Sequence, residues 1–271
     1  MTVKVVLAGC GNMGYAMLSG WVRGERLDPA EVMVVEPNAE LRARAAALGV
    51  GVAADASALA DGEAPALVVF AVKPQVIREV AAGYKGFAGR GTAFLSIAAG
   101  TTIATFEEVL GKDAAIIRCM PNTPAAIGKG MMVVVGNGRA SKETTALADS
   151  RLSTSGEVAA IEDEALMDAV TAVSGSGPAY VFHFIECLTA AARDVGLPEA
   201  TAKLLAMQTV LGAACLAAES SEEPGRLREQ VTSPKGTTAA ALDILMGEDR
   251  LKVLVGKAVE AARARSVELG K

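Results

Sequence analysis

Residues 4–14 read Lys4-Val5-Val6-Leu7-Ala8-Gly9-Cys10-Gly11-Asn12-Met13-Gly14, an apolar strand running straight into G-x-G-x-x-G. A glycine loop between strand and helix has a specific physical use. The first glycine permits a tight turn. The second lets backbone approach a pyrophosphate, and the third lets the helix pack closely on the strand. The helix start then offers unpaired N–H groups and a positive dipole end to the phosphates. Gly9, Gly11, Asn12, Met13 and Gly14 are therefore candidate cofactor contacts, the alternative being a strand–turn–helix that binds nothing.

Working outward, strand-like runs recur at 3–8, 32–36, 67–71, 93–97 and 115–118. Helical stretches fall between them at 13–23, 39–48, 75–82 and 103–110. Strands alternating with helices point to βαβ units and a parallel sheet. The run 131–135 is expected to close the sheet edge, with 158–161 one further strand. Beyond residue 162 the pattern becomes helical: 163–173, 175–196 with Pro178 in its first turn, 198–220, 226–231, 238–246 and 251–269. The expected class is an α/β Rossmann-type N-terminal domain, residues 1–161, followed by an all-α domain, residues 162–271. Helices this rich in Ala and Gly leave apolar faces that so short a domain cannot cover alone, which predicts a homo-oligomer formed through them.

Composition narrows the partners. The chain has 271 residues, 26 Lys plus Arg against 31 Asp plus Glu, and a net charge of -5, which argues against nucleic acid and membrane surfaces. Aromatic residues make up 4%, too few for a base-stacking platform. No apolar run is read as long enough to span a bilayer. Cys10, Cys119, Cys187 and Cys215 stand apart and His183 is the single histidine, so no metal site is expected and the cysteines read as reduced thiols of a cytoplasmic protein. His183 lies in a helical run among Val181, Phe182, Phe184 and Ile185, where a structural or interface role outweighs catalysis.

Further segments sit where a dinucleotide fold places ligands. At the end of the second strand, Glu36 and Asn38 would meet the adenosine ribose. An acidic side chain there hydrogen-bonds the 2′-hydroxyl and repels a 2′-phosphate, favouring NADH, unless Glu36 is only a solvent-facing turn residue. Ala71-Val72-Lys73-Pro74 and Ala98-Ala99-Gly100 follow other strand ends. Arg118–Pro124 is a stiff loop with two prolines, and Ser174-Gly175-Ser176-Gly177-Pro178 is either a second phosphate loop or a tight link near the nicotinamide end. In the helical half, Val231-Thr232-Ser233-Pro234-Lys235-Gly236-Thr237-Thr238 packs hydroxyls and glycine before a helix, a ready anion site or merely a well-capped helix.

Together these segments resemble pyrroline-5-carboxylate reductase. The match runs in family order from the glycine loop through Ala71–Gln75, Ala98–Gly100, Met120–Pro124 and Asp168–Tyr180 to Leu227–Val231 and Thr237-Thr238. The resemblance implies NAD(P)H-dependent reduction of L-1-pyrroline-5-carboxylate to L-proline, the last step of proline biosynthesis. It also implies a homodimer through the C-terminal helices, with larger rings of dimers seen in the family. Gly9–Gly14, Ala71, Val72, Lys73, Pro74, Ala98, Ala99 and Gly100 would hold NADH or NADPH. Ser233, Gly236, Thr237 and Thr238 would hold the substrate, with the Thr238 hydroxyl at the ring nitrogen as the catalytic contact. The chain departs from the family at Lys235, where Gly-Gly is usual, and at Glu36, since family members often use NADPH. A hydroxyacid dehydrogenase shares the architecture but carries a catalytic lysine after the glycine-rich junction, and Ala179–Glu186 has none. A non-catalytic dinucleotide sensor would not need the 231–238 loop.

Overall fold

A computed structural model describes residues 3–24, 27–59 and 62–270. Eight strands form one sheet in the order β3-β2-β1-β4-β5-β6-β7-β8. They are β1 Val5–Ala8, β2 Val32–Val35, β3 Gly51–Ala53, β4 Leu67–Phe70, β5 Ala93–Ser96, β6 Ala115–Met120, β7 Gly130–Gly136 and β8 Gly156–Ala160. The first six pair in parallel, with Val5 opposite both Val32 and Leu67. β1, β2 and β4 are continuously apolar because helices cover both faces. The run at 131–135 does not close the edge as expected. It becomes β7, antiparallel to β6 and parallel to β8, so β8 takes the edge.

The helices of the first half are α1 Asn12–Arg23, α2 Ala39–Ala46, α3 Ile77–Ala82, α4 Ile103–Leu110 and α5 Lys142–Leu152. One core layer lies under α1 and gathers Leu7, Met17, Trp21, Val34, Val69 and Leu95. The opposite face holds Phe70, stacked on Phe94 and Phe106 at centroid distances of 6.1 and 5.6 Å, with the Tyr84 ring edge-on at 5.5 Å.

The chain then continues through α6 Met167–Val170, a π-helical turn Thr171–Gly175, α7 Gly177–Asp194, α8 Glu199–Glu219, α9 Pro224–Gln230, α10 Thr237–Met246 and α11 Arg250–Leu269. Two compact units result, one of residues through Ser176 together with Ala262 onward, the other Gly177–Ala261. The spatial division therefore falls later than the 161/162 boundary read from the change in pattern. Residues 164–175 are helical, but Met167 is buried in the same layer as Phe70, so they pack with the sheet. The end of α11 does the same. The Ser266 hydroxyl donates to Asp168 Oδ1 at 2.6 Å, and the Leu269 carbonyl lies against Gly100.

In the second unit, Ala202 and Ala206 are the only buried residues among those described. Phe182 and Phe184 on α7, Leu204, Met207 and Leu211 on α8, and Leu254 on α11 are all about half exposed or more. Contrary to the sequence expectation, one helix, Glu199–Glu219, is long and apolar enough to cross a membrane by length and composition. His183 is exposed and pairs with Glu186 through Nδ1 at 3.0 Å, while Nε2 faces Cys187 Sγ at 3.6 Å.

Candidate active site

The glycine loop is shaped by contacts that only glycine tolerates. Gly9 has φ 92°, and a Cβ there would lie 2.6 Å from Val72 Cγ1 and 2.7 Å from the Ala71 carbonyl oxygen. A Cβ on Gly14 would lie 2.5 Å from the Gly9 carbonyl oxygen, so the third glycine sets how closely α1 approaches the turn. Gly11 differs. It has extended backbone at the start of α1, no side chain caps the helix there, and a Cβ would meet nothing within 4 Å. The cradle is open where a pyrophosphate would pass, and the free N–H groups at the start of α1 face no competing side-chain cap. These residues fit a dinucleotide.

Beside the loop lies a cleft of about 640 Å³, lined by Gly9, Gly11, Glu36, Asp55, Val72, Lys73 and Tyr84 among others. It spans the carboxyl ends of β1, β2, β3 and β4, where open α/β sheets bind ligands. Glu36 is buried rather than solvent-facing. Its Oε2 accepts from the Cys10 N–H at 2.8 Å and its Oε1 from the Asn38 N–H at 2.9 Å, so one carboxylate ties the glycine loop to the turn after β2. Asn38 caps α2 by accepting from the Glu40 and Leu41 amides.

Two arginines of α2 brace this arrangement. Arg42 donates to the Glu36 and Pro37 carbonyls at 2.8 and 2.7 Å. Arg44 donates to the Cys10 carbonyl at 3.0 Å and lies over the Tyr15 ring at 4.1 Å. Their spacing, two apart on one helix, sends one to the turn and the other to the glycine loop. The Cys10 thiol is fully buried, and burial pushes its pKa up, which makes it an inert packing group.

The remaining cofactor candidates gather at the ends of β4 and β5. Lys73 is extended before Pro74, as the proline requires. Ala98 is buried, its N–H donating to Ser96 Oγ at 3.2 Å, and Gly100 turns with φ 69°. The structure thus brings Ala71–Pro74 and Ala98–Gly100 together at the carboxyl ends of two adjacent strands. Nearby, Arg118 is almost completely buried and paired with Glu164, which also accepts from the Ile103 N–H at 2.8 Å. Glu164 thereby fixes the start of α4. A basic residue inside an apolar strand was the signal for this pair.

The other candidate segment belongs to the second unit. Ser233, Gly236, Thr237 and Thr238 converge at the start of α10, where Gly236 is the cap residue and no side chain satisfies the helix N–H groups. The Gly236 N–H donates to the Ser233 carbonyl at 3.0 Å, and a Cβ on Gly236 would lie 2.4 Å from Ser233 Oγ. Lys235 is exposed and holds φ 60°, a left-handed conformation that glycine adopts at no steric cost. A helix start with uncapped amides beside two threonines can receive a carboxylate.

Comparison with known proteins agrees with this geometry. The family model for pyrroline-5-carboxylate reductase dimerisation matches residues 164–269, and that for coenzyme F420-dependent NADP oxidoreductase matches residues 4–100. The pyrroline-5-carboxylate reductase of Pseudomonas aeruginosa is 39% identical, with 99% of this chain and 97% of that protein covered. The Escherichia coli enzyme is 36% identical over 100% of both. Among solved structures, the Coxiella burnetii reductase superposes with a TM-score of 0.93 at 34% identity over 100% of both chains. The Plasmodium falciparum enzyme, solved with NADP bound, gives 0.83 at 28% identity, covering 99% of this chain and 98% of that one. Likeness of this degree over the whole length, with a nucleotide-binding half and a dimerisation half in the same order, makes this chain a member of the pyrroline-5-carboxylate reductase family.

Proposed function

We infer that this protein reduces L-1-pyrroline-5-carboxylate to L-proline with NAD(P)H. The full-length likeness to the reductases carries the reaction, and the open cradle at Gly11 supports the cofactor class. Incubation with reduced cofactor and pyrroline-5-carboxylate should oxidise the cofactor and form proline in equal amounts; no proline would refute the assignment.

The reaction adds a hydride to the carbon and a proton to the nitrogen of a C=N bond. The bound cofactor supplies the hydride. A protonated iminium is already electrophilic, so no strong side-chain acid is needed, which suits a chain whose one histidine is exposed and paired with Glu186. The protein's part is to bind and orient. In this reading the sheet-bearing part of the chain binds the dinucleotide, and the helical part beyond residue 161 supplies the substrate loop and the dimer face. The start of α1 holds the pyrophosphate. The amides of Gly236, Thr237 and Thr238, with Ser233, hold the substrate carboxylate, and the Thr238 hydroxyl contacts the ring nitrogen.

NADH is the preferred cofactor in this reading. Glu36 lines the cleft with its carboxylate fixed by two backbone amides, and a 2′-phosphate beside it would be repelled. The Plasmodium relative was solved with NADP, so the ratio of kcat/KM for the two cofactors separates the alternatives. A tenfold or greater preference for NADPH would refute the role given to Glu36.

The working unit is a homodimer through α7 to α11, extending to a ring of dimers. A helical unit with two buried alanines has no core of its own, and the half-exposed Phe182, Leu204 and Leu211 need a partner surface. Light scattering showing a monomer at micromolar concentration would exclude this. A cytoplasmic location is part of this reading, which the free cysteines support and cell fractionation tests.

A further inference from the structure

The strand order places the switch point of the sheet between β1 and β4. In a doubly wound sheet the halves of a dinucleotide lie on either side of that point. The cleft over β1, β2 and β3 suits the adenosine half, which leaves the nicotinamide half to the ends of β4 and β5. There the first unit holds a second cavity of about 420 Å³, whose walls include Pro74, Gln75, Ala99 and Gly100 on one side and Thr171 and Ser176 on another.

The second wall is the π-helical turn. The Ser176 N–H donates to the Thr171 carbonyl at 2.8 Å, and this wider turn swings Ser176 toward the cavity. Such turns are rare and occur frequently at functional sites. This one is held from outside. Asn122 Nδ2 donates to the Ser174 carbonyl at 3.2 Å, while Asn122 Oδ1 accepts from the Met131 N–H at 2.9 Å. The Thr171 hydroxyl is committed, donating to the Met167 carbonyl at 2.8 Å. The Ser176 hydroxyl, half-buried, makes no hydrogen bond among the described residues.

We propose that the Ser176 hydroxyl holds the carboxamide of the nicotinamide ring, and that the π-turn clamped by Asn122 exists to present it. The proposal rests on the dinucleotide reading above. A carboxamide offers one acceptor oxygen and two N–H donors, and a serine hydroxyl serves either. Fixing the carboxamide stops rotation of the ring, and so fixes which face meets the substrate.

The test compares Ser176→Ala with wild type for two ligands, NADH followed by its fluorescence and ADP-ribose, which lacks the nicotinamide, followed by calorimetry. NADH should bind about five- to tenfold more weakly to the variant, the loss of one hydrogen bond, while ADP-ribose affinity stays within about twofold. Unchanged NADH affinity, or equal weakening of both ligands, would overturn the role of Ser176. Wild-type protein that binds none of NADH, NADPH and ADP-ribose would instead overturn the dinucleotide reading itself, and this proposal with it.

Discussion

Alanine at Gly9 and alanine at Gly11 should do opposite things, although the two glycines are one residue apart in the same motif. At Gly9 the backbone is left-handed, which costs an L-residue about 1–2 kcal/mol. The new Cβ would also lie 2.7 Å from the Ala71 carbonyl oxygen, a backbone atom in the residue after β4 that cannot rotate away. Overpacking of this kind costs about 1–3 kcal/mol, so Gly9→Ala should lose about 2–5 kcal/mol in all. Against a typical total of about 5–15 kcal/mol, that is a large fraction of the stability. At Gly11 the backbone is ordinary and the Cβ meets nothing within 4 Å, so folding should change by less than about 1 kcal/mol. The methyl group instead fills the space reserved for pyrophosphate, and NADH should bind about tenfold more weakly or worse. Urea titration followed by circular dichroism reads the first effect, and NADH fluorescence reads the second. Wild-type urea resistance in Gly9→Ala, or a Gly11→Ala protein that loses stability and keeps its affinity, would refute the division of labour.

Three other outcomes follow from particular residues. Thr238→Ala should lower kcat by about tenfold or more with NADH affinity unchanged, and full turnover in steady-state assays would remove Thr238 from the mechanism. Lys235→Gly relieves a left-handed lysine and should gain up to about 1 kcal/mol in chemical denaturation; a loss would mean that the exposed side chain stabilises the loop. Asp149 has a buried Oδ1 without a partner, and burial raises its pKa. The folded state therefore binds this proton more tightly than the unfolded state, so ionisation destabilises the fold above the folded pKa and the penalty disappears below the ordinary value of 3.8. Asp149→Asn should accordingly raise the melting temperature at pH 7 and lose that advantage in acid; a melting temperature equal to wild type at pH 7 would contradict this.

What could be read in the sequence was whatever local periodicity and glycine chemistry express. The central strands are continuously apolar and bounded by turns, and the glycine loop carries its purpose in its spacing. β3 escaped because it is three residues at the sheet edge, partly exposed and paired on one side only. α5 escaped because its sequence, Lys-Glu-Thr-Thr-Ala-Leu-Ala-Asp-Ser-Arg-Leu, buries only Ala148 and Leu152. Its one local signal was Ser141, whose hydroxyl caps the Thr144 N–H. The site was legible as segments and not as bonds. That Glu36 lies at a strand end follows from the pattern. That it grips the Cys10 amide, while Arg44 grips the Cys10 carbonyl, depends on a meeting between residues far apart in the chain. The π-turn was invisible for a similar reason, since its residues suit an α-helix equally well and tertiary contacts through Asn122 select the wider form.

The hydrogen bond from Ser266 to Asp168 has a consequence for how the protein is made. It fastens the last turns of α11 to a unit whose other residues end at Ser176, so that unit is discontinuous along the chain. On the ribosome, the sheet and its first helices emerge and collapse long before their final piece exists. Gly100 and Asp168 must wait while the whole intervening helical unit is synthesised. Such long-range closure slows folding and prolongs the exposure of incomplete surfaces. Completion of the nucleotide-binding unit is thereby coupled to arrival of the helical unit, and the nascent chain acquires its finished cofactor-side architecture only after residues 177–261 have been made.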